Sequence, residues 1–335
     1  MNNQDLSRRD IMKGAGLIAA GAAASTGLVQ PVFAGAHPKA THPAGVPDRP
    51  FANRIKVGRF AVTTFFDGAV QLPGPHPIFG ENVDAAQVKQ LAQDNFLPGD
   101  QMEIGFTPTL VKTPDHLILF DAGNGEITGR RPHAGNLVAR MGLLGIRPQD
   151  VTHVVITHMH PDHIGGLIHE GGQPAFPNAA YVTSAAEYDF WSPKDRLSGA
   201  TERVAKLVQA TVVPFAEKYT FIKPGDAIAP GVTAIDASGH TPGHLAVNIE
   251  DGGDRIVLIG DAANHYVVSL QRPDWHVRFD MDKQKAAATR RTLLGMIAAD
   301  KVPFIGYHMP FPSVCLLYTS PSPRDQRGSR MPSSA

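Results

Sequence analysis

The segment Thr157-His158-Met159-His160-Pro161-Asp162-His163 puts three imidazoles and a carboxylate within six residues. It follows a short, mostly apolar run from Val151 rich in β-branched residues, which reads as a buried strand ending where the cluster starts. On a loop at a strand end, such side chains splay around two centres rather than one. A lone histidine is usually a core or surface residue, but three beside an Asp and two glycines, Gly165 and Gly166, point to metal binding. The only cysteine is Cys315, so the metals must rest on imidazole and carboxylate, a set that suits zinc, iron or manganese.

Both ends of the 335-residue chain read as separate from the working domain. Ser7-Arg8-Arg9-Asp10-Ile11-Met12-Lys13 precedes a weakly apolar Ala/Gly-rich run that closes on Val32-Phe33-Ala34, the pattern of a cleaved twin-arginine-type leader over residues 1–34. A Pro/Gly/His-rich linker follows over 35–50. Residues 315–335, rich in Pro, Ser and Arg, resemble translated sequencing-adapter sequence. The working domain is therefore read as 51–314, truncated at its C-terminal side. Lys plus Arg equals Asp plus Glu at 31 each, which gives no electrostatic case for nucleic acid. The expected partner is a small-molecule substrate, with no stable membrane association once the leader is removed. A homodimer stays open, and the expected location is periplasmic or secreted.

Periodicity predicts strands over Arg59–Phe66, Thr109–Lys112 and Leu117–Phe120, the last two as a hairpin running into Asp121-Ala122-Gly123. Helices are expected over Asp84–Asp94, Ala134–Leu144, from Ile164 to Ile168, from Ser184 as cap to Phe190, and over Thr201–Ala210. Tyr181–Thr183, Val232–Asp236, Leu245–Glu250, Arg255–Gly260 and Phe304–Gly306 read as strands, and Asp282 as the cap of a last helix to Ala299. Mixed strands and helices of this kind give an α/β or α+β architecture.

The cluster matches the HxHxDH signature of the metallo-β-lactamase superfamily at every position. Gly239-His240-Thr241-Pro242-Gly243-His244, Leu258-Ile259-Gly260-Asp261 and Tyr307-His308-Met309-Pro310-Phe311-Pro312 follow in the family's order. The resemblance covers roughly residues 60–314 and implies a four-layer αββα sandwich with metals at one edge. It implies that His158, His160 and His240 hold one divalent ion, that Asp162, His163 and His308 hold a second, and that Asp261 bridges them. Zinc is the expected metal, with manganese, iron or cobalt as alternatives. Asp121 matches the family's Asp-Thr-Gly turn, where it either orients a ligand imidazole or caps its own turn. His244 is expected not to be a ligand. His153 and His169 are read as surface or core residues, whereas His265 and His276 follow Asp261 and are candidates to face the cleft.

Two such metals share a hydroxide that attacks an electrophilic carbonyl or phosphorus, with Asp162 as the residue that takes or passes the proton. Asp261 counts against β-lactam hydrolysis, because true β-lactamases of the superfamily place Cys or Ser there. N-acyl homoserine lactonases of the best-known type carry Tyr three residues after the bridging Asp. This chain has Asn264 there and its nearest tyrosine at Tyr266. The chain further resembles the methyl parathion hydrolase-like branch through Ile156–His163, Phe176-Pro177-Asn178-Ala179, Asp189-Phe190-Trp191 and the terminal His-x-Pro-Phe-Pro pattern. That resemblance implies ester or lactone hydrolysis, with phosphotriesters as a further substrate class and Phe190 and Trp191 either lining a pocket or in the core. The alternatives are an N-acyl homoserine lactonase proper and a mononuclear iron sulfur-oxidising dioxygenase of the same fold.

Overall fold

The computed structural model describes residues 49–317; the leader read over 1–34, the linker as far as 48 and the tail from 318 lie outside them. Strands β1 (Ala52–Val57), β2 (Phe60–Phe65), β5 (Thr109–Lys112), β6 (Leu117–Phe120), β7 (His153–Ile156), β8 (Ala180–Ser184) and β9 (Tyr219–Ile222) form one sheet in the order β1-β2-β5-β6-β7-β8-β9. The expected hairpin pairs Thr109 with Phe120. From β6 onward the strands run parallel. A second sheet joins β10 (Ala227–Ala229), β11 (Val232–Asp236), β12 (Leu245–Asp251), β13 (Asp254–Gly260), β14 (Phe304–Gly306) and β15 (Val314–Cys315) in sequence order. Its last strand takes Cys315, opposite Phe304, from the segment read as adapter-like. Strands β3 (Gly68–Pro73) and β4 (Gln101–Phe106) make a separate ribbon beside helix α1 (Ala85–Asp94).

The central strands are apolar at consecutive positions because both of their faces are buried. Val155 faces the second sheet, in one cluster with Val247 and Leu258. Its neighbours Val154 and Ile156 point the other way, into a cluster with Met141 of α2 (Leu137–Leu143) and Val208 of a later helix. On β13, Ile256 and Leu258 face the first sheet. Val257 and Ile259 pack instead against Leu293 and Ile297 of the C-terminal helix. Helices, sheet, sheet and helices thus stack as the αββα sandwich that the motifs imply. Each fully buried Val, Leu or Ile in these layers contributes roughly 1.5–3 kcal/mol.

Helix α3 (Pro161–Ile164) is the principal departure from the expected elements. Periodicity starts a helix at Ile164, but the chain turns three residues earlier, with Pro161 at its first helical position, and ends in a 3-10 turn over Gly165–Leu167. Packing explains the stop. A Cβ at Gly165 would lie 2.2 Å from the Asn124 carbonyl oxygen, and one at Gly166 would lie 2.0 Å from that of Ala122. The two glycines let the backbone after the histidine cluster press directly onto the loop after β6. Helices α4 (Ala185–Trp191), α5 (Glu202–Thr211), α6 (Val268–Gln271) and α7 (Lys283–Asp300) follow. Asp282 caps α7 as expected, accepting from the Lys285 amide at 2.9 Å. Ser184 occupies the cap position of α4 but makes no side-chain cap bond. Among the described residues, no helix is long and apolar enough to cross a membrane.

Gly166→Ala is expected to lower stability by roughly 1–3 kcal/mol through forced backbone displacement. Gly295→Ala, in α7 with nothing within 4 Å of the added methyl, should raise it by about 0.5–1 kcal/mol. Thermal melts of the two variants moving in the same direction would contradict this packing.

Candidate metal centre

The chemistry-bearing residues sit beyond the C-terminal ends of strands that point to one edge of the sandwich. Asp67 follows β2, Asp121 follows β6, His158 follows β7, His240 follows β11, Asp261 follows β13 and His308 follows β14. Sheet direction therefore gathers side chains up to 241 residues apart in the chain, from Asp67 to His308.

All seven residues expected to hold metal come together. Ligand atoms of His158, His160, His240 and Asp261 lie within 4.8 Å of one another, and those of Asp162, His163 and His308 form a second such group. Asp261 touches both. Its Oδ2 is 3.3 Å from His240 Nε2 and 3.0 Å from His308 Nε2, while its Oδ1 is 3.4 Å from His163 Nε2. His160 Nδ1 and His240 Nε2 approach to 3.0 Å, two imidazole nitrogens aimed at one point.

The donor set fits divalent ions. His158 Nε2, His163 Nε2 and Asp261 Oδ1 are sealed from solvent and have no hydrogen-bond partner. Orphaned buried polar atoms of this kind cost about 1–3 kcal/mol each unless something satisfies them, and here they converge. The charges follow the same geometry. Burial penalises the Asp261 carboxylate, yet His308, His163 and His158 around it hold its pKa well below the usual range. Burial and the neighbouring His163 hold His158 well below the usual imidazole value, as a neutral ring. Burial also works against a charged His240, but hydrogen bonds with Asp261 and Asp280 raise it to about 9.

Outside the seven, buried partners orient the rings. Asp121 takes the first of the two roles considered for it: its Oδ2 lies 2.8 Å from His163 Nδ1. Its other contacts go not to its own turn but across to Thr157, whose amide donates to it at 2.8 Å and whose hydroxyl donates as well. His308 Nδ1 donates to the Gly105 carbonyl at 2.8 Å, and the Tyr307 hydroxyl donates to the Asp162 carbonyl at 2.6 Å. His244 is not in either group. Its Nδ1 donates to the Ala237 carbonyl, and its Nε2 accepts the Asp261 amide at 3.1 Å, fixing the backbone of the bridging candidate.

Four residues of this layer have no sequence motif to announce them. His240 Nδ1 lies 2.9 Å from Asp280 Oδ1, and Asp280 is paired at 2.8 Å with Arg290, itself 1% exposed. Glu187 accepts from the amides of Met159 and Gly243, the Thr241 hydroxyl and the Trp191 indole. Asp67 accepts from the amides of Asn124, Gly135 and Leu137. A polar residue inside an otherwise apolar helical face, as Arg290 is in α7, was the one available signal.

A cavity of about 400 Å³ opens beside His308, lined among others by Phe66, Met102, His265, Tyr266 and Phe311. His265 thus faces the cleft, as one of the two candidates after Asp261. His276 is half-buried and serves the backbone, its carbonyl accepting from the Gly80 amide. Trp191 belongs to the core, and Phe190 is partly buried against it. His153 is half-buried edge-on to His116.

Two outcomes follow for metal binding. Asp280→Asn should weaken it by roughly 10- to 100-fold, since the carboxylate fixes His240 and neutralises Arg290. With His240 raised to about 9 in the metal-free protein, its proton must leave before the ring can ligate. Affinity should therefore rise with pH between 6 and 9, on the order of tenfold per unit for each proton displaced. Competition with a chelator at three pH values reads both effects, and a pH-independent affinity would contradict the assignment of His240.

Residues 107–302 match the metallo-beta-lactamase superfamily. A probable metallo-hydrolase of Mycobacterium tuberculosis is 34% identical over 181 residues, which are 47% of this chain and 56% of that protein. The chain thus spans about half the length of that relative. An N-acyl homoserine lactonase of a Bacillus species is 21% identical over 239 residues, 66% of this chain and 88% of that protein. Among solved structures, the dizinc quorum-quenching lactonase AidC, in complex with a product, superposes with a TM-score of 0.71 at 25% identity, over 82% of this chain and 95% of that one. The hydrolase AbOPH of the beta-lactamase superfamily gives a TM-score of 0.73 at 24% identity, over the same shares of the two chains. With four layers, strand-end histidines and a matched segment covering more than half its length, this chain belongs to the metallo-beta-lactamase superfamily.

Proposed function

We propose that this chain is a dinuclear metal-dependent hydrolase of esters or lactones, acting on phosphotriesters as a further class, with zinc as the metal in both groups. The observation that supports it most directly is Asp261, whose carboxylate reaches both ligand groups. A thiolate-free set of imidazoles and carboxylates suits zinc. The likeness in fold to a dizinc lactonase, and in sequence to an N-acyl homoserine lactonase, supports the lactone reading. Bound there, two metal ions supply Lewis acidity toward a carbonyl oxygen and a water that is nucleophilic near neutral pH.

The chain's own residues supply the rest. Asp162 is the residue proposed to handle the proton. Its carboxyl is buried, but His163, His308 and Arg130 outweigh the burial and hold its pKa below the ordinary range. It is therefore ionised at neutral pH and able to take a proton from water and return it to a leaving alkoxide. Arg130 Nη1, 3.8 Å from its Oδ1, sustains that charge. Tyr266 supplies a phenol at the cavity wall, where the lactonase position itself holds Asn264. We further propose, from the twin-arginine-like sequence pattern over residues 1–34 alone, that the protein is exported and acts in the periplasm or outside the cell.

Metal-loaded protein is expected to hydrolyse lactones and aryl esters, to lose turnover with a chelator and to regain it with zinc. Asp162→Asn should lower kcat by about 10²- to 10⁴-fold. One iron per chain by metal analysis, with no turnover of any ester or lactone in the panel, would overturn the proposal in favour of an oxygenase.

A further inference from the structure

His265 holds a donor that nothing above uses. It stands four residues beyond Asp261, ahead of α6, and the residue is 6% exposed. Tyr266 stacks on it in parallel, centroids 4.8 Å apart at 7°, and Phe79 meets it edge-on at 5.1 Å. The amides of Val267 and Val268 both donate to its Nδ1, at 3.1 and 3.2 Å. A ring nitrogen that accepts N–H bonds carries no proton, so the neutral imidazole has its hydrogen on Nε2. Burial pushes its pKa down to about 4, which keeps the ring neutral at physiological pH.

Nε2 has no acceptor among the described residues, and it is not one of the sealed polar atoms of the core. His265 instead lines the cavity that also takes in His308. The ring is held by the stacked Tyr266 and the edge contact with Phe79, its tautomer is set by the backbone, and its free N–H carries no charge. Apolar walls from Phe66, Met102 and Phe311 suit an acyl chain or a ring, and Glu103 in the same lining disfavours an anion. An uncharged donor in that setting discriminates by hydrogen bonding, because leaving it unpaired against a bound substrate costs about 1–3 kcal/mol.

We infer that His265 is a specificity-determining residue: its Nε2–H binds a second carbonyl of an uncharged lactone or ester, away from the bond that is cleaved. This rests on the hydrolase reading above and adds which substrates of that class are preferred.

Two substitutions separate the two nitrogens. In His265→Asn the amide oxygen replaces Nδ1 as acceptor for Val267 and Val268 but does not reach the Nε2 position. In His265→Gln an amide donor reaches that position while the backbone acceptor is lost. Steady-state kinetics on metal-loaded, full-length protein would compare an α-acylamido lactone with an alkyl lactone of matching length. For His265→Asn, the ratio of kcat/KM between the two should fall about tenfold, the equivalent of one neutral hydrogen bond, through KM rather than kcat. His265→Gln should keep most of the ratio while melting at a lower temperature. Metal content should match wild type in both variants. Equal loss on both substrates in His265→Asn would show a structural role and overturn the inference alone. A wild-type protein that turns over neither lactone would overturn the hydrolase reading, and this inference with it.

Discussion

The Glu187 carboxylate, fully buried at the start of α4, ties together the two loops on which the first ligand group depends. One oxygen accepts from the Met159 amide, between His158 and His160, and from the Trp191 indole. The other accepts from Thr241 and the Gly243 amide, just after His240. Burial pushes its carboxyl above the usual range, and the hydrogen bonds offset that only in part. With four donors and no acceptor for a proton, it binds as the carboxylate. Gly243 is needed for this approach, since a Cβ there would lie 2.1 Å from the Glu187 amide nitrogen. A loop from the first sheet and one from the second are thereby held in fixed relation, which sheet packing alone does not provide.

The same device recurs around the centre. Asp67 anchors the loop that holds Asn124, Gly135 and Leu137. Asp121 joins Thr157 to His163. Asp280 joins His240 to Arg290, whose guanidinium also binds the carbonyls of Ala262 and Pro273. Each buried charge here is paired or saturated with donors, as the cost of isolated buried charge requires. The resulting negative surroundings favour cations at the edge of the sandwich, where the imidazoles open toward the cavity beside His308. Preorganisation of this kind fixes the ligand side chains near one another before anything binds.

Much of the layout was legible in the chain. Apolar runs with β-branched residues located β7, β11, β12 and β13, and spacing located α1, α5 and α7 within a few residues. Strands β1, β3, β4, β9 and β10 were not legible. The first alternates weakly, and the ribbon β3–β4 is a two-stranded side structure whose partners lie about 30 residues apart. Helix α3 was displaced because periodicity registers the apolar Ile164–Ile168 run, whereas Pro161 and the contacts of Gly165 and Gly166 set the actual turn.

The histidine cluster and the order of the later motifs were determined by sequence alone, because each is a local pattern at the end of its own strand. They sufficed for the family, the seven candidate ligands and the exclusion of thiolate chemistry. Which residues support those ligands was decided only by the tertiary structure. Asp280 and His240 are 40 positions apart, Glu187 and Gly243 56, and His308 and Gly105 203. No local spacing links such pairs, since a buried carboxylate in a helix reads the same whether it orients a ligand or caps a turn. Converging strand ends bring them within hydrogen-bond distance, and the low-dielectric interior then makes each contact strong enough to hold a ring in place.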